Sequence, residues 1–103
     1  MERVGRHAPF PSEMQGRWID TDEPSTELIV AGGEIRCFGH TVEYDYKLID
    51  KIDGALTVSL KVNDETTEDT FQRSNVTELV LTPEGEFLAS NVKFASQFVR
   101  ADS

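Results

Sequence analysis

The sequence predicts an all-β domain, an antiparallel up-and-down meander of about eight strands that follow one another in chain order. Three observations carry this. From Gly16 onward, short apolar runs alternate with turn residues every 8–12 positions, the spacing of a small sandwich or barrel. Within residues 42–48 and 55–62, apolar and polar side chains alternate strictly, which puts the apolar ones on a single face of a strand. No segment carries the 3.6-residue apolar period of an amphipathic helix. Short links make sequential strands pair antiparallel, and strands with one apolar face need a shared interior. Curling such a sheet buries those faces and removes exposed edges. Regular hairpins without long crossovers favour a barrel over a Greek-key sandwich.

The elements follow in order. Residues 1–14 read as a flexible N-terminal tail punctuated by Pro9-Phe10-Pro11, since proline favours an extended path. Residues 15–103 then form one domain. The first strand spans residues 16–20 around Trp18, and residues 22–25 make a polar turn. Strands over 26–31 and 34–38 are joined at Gly32-Gly33, where both positions can take positive φ. Gly39 and His40 make the next corner. In residues 42–48, Val42, Tyr44, Tyr46 and Leu48 are expected inside, with Glu43, Asp45 and Lys47 facing water. Asp53-Gly54 is a turn signal, and residues 55–62 return with Leu56, Val58, Leu60 and Val62 on one face. Residues 66–74 read as a weak edge strand, rich in threonine but with only Phe71 strongly apolar. Strands over 76–82 and 87–90 flank a Pro83-Glu84-Gly85-Glu86 loop. The last strand, residues 92–100, puts Val92, Phe94, Ser96 and Phe98 on one face.

The chain has 103 residues, one domain's worth, with 10 Lys and Arg against 19 Asp and Glu and a formal charge of −9. Such a charge repels nucleic-acid backbones and anionic membranes, so neither is an expected partner. Its plain meaning is solubility. A single cysteine, Cys37, precludes an internal disulfide. The basic N-terminal residues are followed by no apolar run, so no secretory signal is expected and a reducing, cytoplasmic setting is the default.

Catalytic and metal chemistry find little purchase. His40 stands alone at a corner and His7 in the tail, whereas metal ligands cluster, so no metal site and no cofactor are expected. Cys37 shares a face with Ile35, which reads as a buried structural thiol, because a nucleophile needs a basic neighbour. The acidic run at residues 63–69 lacks the spacing and the glycine of a calcium loop and reads as a solvated turn.

Gly16-Arg17-Trp18 on the first strand, the long hairpin meander and Arg100 at the end of the last strand together resemble the lipocalin and calycin group of small barrels. The resemblance implies a calycin-like (lipocalin- or avidin-like) barrel in which Trp18 closes one end and Arg100 packs across it. A guanidinium over an indole face gains about 1–2 kcal/mol when partly desolvated. It also implies non-catalytic binding of a small, mostly apolar ligand. Alternation along the strands supplies the expected lining: Val42, Tyr44, Tyr46, Leu56, Val58, Phe94 and Phe98. An eight-stranded barrel is wide enough either to be filled by side chains or to hold one small ligand. The filled case makes the chain a protein-interaction module or a homodimer with an acidic surface. A small barrel enzyme is the third reading, and no base–nucleophile pair is legible for it.

Overall fold

A computed structural model describes residues 2–37, 39–93 and 95–101. The clean hairpin signals become hairpins. β2 (Gly16–Asp20) pairs with β3 (Glu27–Ala31), which turns at Gly32-Gly33 into β4 (Glu34–Cys37). Only Gly32 takes positive φ, at +59°. Gly33 is required by crowding instead, because a Cβ there would lie 2.9–3.0 Å from the carbonyl oxygens of Arg6, His7 and Ala8. β6 (Tyr46–Ile52) turns at Asp53-Gly54, with φ of 52° and 85°, into β7 (Ala55–Lys61). Two left-handed residues in a two-residue loop match the twist of the flanking strands. β8 (Glu78–Leu81), β9 (Phe87–Ser90) and β10 (Ala95–Arg100) complete the meander, and β10 pairs back onto β2.

The short strands β1 (Glu2–Gly5) and β5 (His40–Thr41) bring the total to ten, against the eight or so expected, in one antiparallel sheet ordered β1-β6-β7-β8-β9-β10-β2-β3-β4-β5. The sheet is curled and barrel-like. The run from His40 to Ile52 joins its two ends, with β5 on β4 and β6 on β7. The Val42 amide still donates to Ile35 and the Asp45 amide donates to Lys61. Between these points the alternation slips. Val42 and Tyr44 are buried, and the next buried side chain is Lys47. One extra residue in the stretch turns every following side chain over. Tyr46 and Leu48 therefore do not continue the buried face, contrary to the expectation for this strand, and Lys47 takes the place predicted to be apolar.

Two further expectations change. Residues 66–74 are helical: α1 runs over Glu65–Ser74. Asp64 caps it by accepting the Thr66 amide at 2.9 Å, and Glu65 and Glu68 sit in its first turn, where the helix dipole favours acids. These terms outweigh the β preference of the threonines, and Phe71 anchors the helix at 7% exposure. Residues 1–14, read as a tail, lie against the domain. β1 pairs with β6, a 3₁₀ turn forms at Ser12–Met14, and Phe10 and Met14 are both buried. At the far end, Val92 is 65% exposed and lies outside β10, not on its inner face.

The core lies inside the curl. Trp18, Leu28, Val30, Ile35, Val58, Leu79, Phe87, Ala89 and Phe98 are all buried and converge from seven strands. Trp18 and Phe87 meet ring to ring at 4.5 Å between centroids.

Candidate functional site

Three places in the fold carry chemistry, and the first is the predicted pair. The Arg100 guanidinium lies 4.2 Å from the centre of the Trp18 indole. It also donates to the Gln15 carbonyl at 2.8 Å and to the Glu13 carbonyl at 2.9 Å, while the indole N–H donates to Met14 at 3.0 Å. The last strand is thereby fastened to the 3₁₀ turn. Gly16 makes the approach possible: its φ is +122°, and a Cβ would lie 2.6 Å from the guanidinium.

The second is a buried cationic cluster. Lys47 is 0% exposed and donates to the Gly5 carbonyl and to the Tyr44 hydroxyl, both at 3.0 Å. The Tyr44 hydroxyl in turn donates to Gly33 at 2.7 Å, with the Arg6 carbonyl at 3.2 Å. Arg6 donates to the same Gly33 oxygen at 2.7 Å, and its guanidinium sits 4.5 Å from the Tyr44 ring centre. Phe10 covers the amine from 4.9 Å. Among the described residues no carboxylate pairs with Lys47. Burial, and then the charge of Arg6, lower its pKa from the ordinary value of 10.5. Burial raises the Tyr44 hydroxyl above 10.0, partly opposed by the charge and hydrogen bond of Arg6, with the charge of Glu34 adding to the rise. Sequence reasoning placed Lys47 in water because the alternation slips two residues before it.

The third is the outside of one wall. Where apolar residues are consecutive, side chains of both faces are apolar. This occurs at Leu79-Val80-Leu81, Phe87-Leu88-Ala89, Phe98-Val99, Trp18-Ile19 and Leu28-Ile29-Val30. Their outward members are Val80, Leu88, Val99, Ile19 and Ile29, on the five neighbouring strands β8, β9, β10, β2 and β3. Val80 is paired with Leu88, and Val99 with Ile19. Leu88 is 37% and Val99 44% exposed. The flanks differ in charge: Glu78 begins β8 and Glu86 precedes β9 on one side, while on the other Arg17 on β2 and Arg36 on β4 are balanced by Glu27 and Glu34. Arg17 forms a two-pronged bond with Glu27, at 2.8 and 3.0 Å.

Of the remaining expected lining residues, Val58 and Phe98 are fully buried in the core and Leu56 packs against it half-buried, while Phe94 lies outside the described residues. Two concavities among the described residues lie outside the core. One of about 510 Å³ is bounded by Ser25, Thr26, Glu27, Ile29, Arg36 and Gly39, on the outer side of β3 and β4. The other, about 250 Å³, lies beside α1 between Ser59, Gln72, Glu78 and Asn91. His7 and His40 are exposed, Cys37 is buried, and no group of three or more acids, histidines or cysteines among the described residues could hold a metal. The acidic run is used locally, Asp64 in capping α1 and Asp69 in pairing with Arg73 at 3.2 Å. No helix among the described residues is long and apolar enough to cross a membrane. No protein-family model matches the chain, and no curated protein and no solved structure matches it.

Proposed function

We propose that the protein is a non-catalytic interaction module whose barrel-like interior is filled by its own side chains and whose binding surface is the outside of the sheet. One observation carries this reading: the inward residues from Trp18 to Phe98 are buried against one another, and both concavities open outside that core. Phe10 and Met14, delivered by the N-terminal arm, add two more large side chains to the filling. An apolar sheet exterior is the usual mark of an interaction site. Titration with a fluorescent amphiphile tests the filled interior. The expected result is no saturable signal, and binding at one probe per chain would overturn the reading.

A second reading, small-ligand binding inside a calycin-like barrel, is favoured by Lys47. A buried amine that no carboxylate among the described residues pairs with, beside a tyrosine hydroxyl and an aromatic ring, suits a small molecule with an apolar body and an anionic end. Entry would require the Phe10 arm to move aside. Native mass spectrometry of the gently purified chain tests it: a retained small molecule lost on Lys47→Met would establish this reading, and a bare chain in the presence of excess medium-chain fatty acid would remove it.

A further inference from the structure

The larger concavity, about 510 Å³, lies over the outward residues of β3 and β4. Strand register fixes its floor. Leu28 and Val30 are buried, so Glu27 and Ile29 point outward between them. Ile29 stands directly opposite Arg17 on one side and Arg36 on the other. Both arginines are therefore diagonal to Glu27, about 7–8 Å away between Cα atoms. Arg17 reaches the Glu27 carboxylate with two bonds, at 2.8 and 3.0 Å. Arg36 does not, and it forms no ion pair with Glu34 either, two residues along the same strand. Among the described residues neither the Arg36 guanidinium nor the Thr26 hydroxyl has a hydrogen-bond partner. Both line the concavity, with Ser25 and Gly39 at its rim.

We propose that this concavity binds a small zwitterion, an α-amino acid with an apolar side chain, whose carboxylate is taken by Arg36, whose ammonium is taken by Glu27, and whose side chain lies on Ile29. A guanidinium fork suits a carboxylate. Each Glu27 oxygen accepts one bond from Arg17 and keeps a second lone pair for an ammonium. The Thr26 hydroxyl is placed to share either charge. Net charge selects the class. A chain carrying −9 repels a simple anion, Arg36 repels a simple cation, and a zwitterion escapes both. The volume falls within the range of small-molecule sites. This site goes beyond the interaction-module reading, since a small molecule here needs no protein partner.

Titration of the full chain with phenylalanine and with leucine, followed by amide chemical shifts, tests the site. The expected result is saturable shifts at Thr26, Glu27, Ile29, Arg36 and Gly39. N-acetylphenylalanine and phenylalaninamide, each lacking one of the two charges, should bind at least about tenfold more weakly. Arg36→Gln should weaken phenylalanine by a similar factor, and Arg36→Lys should recover part of the loss. Arg36 is exposed, so amides away from the concavity should not move. Arg17→Gln should bind at least as well as the wild type, because it frees the Glu27 carboxylate; a surface merely held together by that pair would lose binding instead. No saturable shift with either amino acid would overturn the site and leave the filled interior standing. Equal binding of the acetylated and amidated forms would overturn the zwitterion. Shifts at Val58, Leu79 and Phe98 in place of the outer residues would overturn the site and the filled interior together.

Discussion

Two walls of the same sheet obey different rules. In β4, Glu34, Ile35, Arg36 and Cys37 run exposed, buried, exposed, buried, and in β7 Val58 and Leu60 point inward between Thr57, Ser59 and Lys61. An antiparallel sheet with one face in water and one on a core reads this way. The opposite wall, from β8 through β10 to β3, follows an apolar inward residue with an apolar outward one on every strand. A strand that is apolar on both sides is the pattern of a sheet covered on both faces. The first wall needs only the core to be satisfied. The second has a core on one side and an uncovered apolar exterior on the other.

The sharpest way to break this comparison lies within β10, where two adjacent residues face opposite ways. Phe98 is 0% exposed and Val99 44%. Phe98→Ala should cost about 3–5 kcal/mol in urea unfolding of the dilute chain, while Val99→Ser should stay within about 0.5 kcal/mol. Similar costs would mean that the two faces are not different. Arg100→Ala should cost about 1–2 kcal/mol, through lost stacking on Trp18 and two lost carbonyl contacts. Arg100→Lys should recover only part of it, since one ammonium cannot replace the planar fork. Asp64→Ala should cost about 1 kcal/mol, felt as faster amide exchange in the first turn of α1 and not in the strands.

The smallest effect is a slope with pH. Because the Lys47 amine is held below 10.5 when folded, falling pH protonates the unfolded chain first. Its contribution to stability is therefore present above 10.5 and is lost as pH falls toward the folded value. Tyr44 has the opposite sign: its raised hydroxyl contributes fully below 10.0, and that contribution is lost as pH rises beyond. Up to pH 10.0, then, the wild-type chain should gain stability relative to Lys47→Met as the solution becomes more alkaline. Parallel curves from urea unfolding would show that the burial of Lys47 does not govern its titration.

Much of the architecture is legible in the residues. β2 and β9 lie where the alternation and turns place them, and the Asp53-Gly54 turn has the two positive φ angles its sequence demands. The contact of Trp18 with Arg100 is likewise in place. What escaped depends on information that a local period does not carry. A single extra residue between Tyr44 and Lys47 reverses the strand, and nothing in Asp45-Tyr46 marks it. Helix α1 has one buried apolar residue, too few to produce a helical period, so only the Asp64 cap and the acids after it announce it. The arm over residues 2–15 is ordered by contacts from far along the chain: Phe10 to Gly32, Lys47 to Gly5, Arg100 to Glu13. The outer apolar face was written in the sequence all along, as consecutive rather than alternating apolar residues.

Hydroxyl-radical footprinting of the dilute chain tests the two-sided wall most directly. Leu88 and Val99 on its outer face compare with Leu79 and Val30, side chains of the same kind on its inner face. If the core fills one side and the other is uncovered, Leu88 and Val99 are labelled while Leu79 and Val30 are protected. Labelling of all four at similar rates would contradict it.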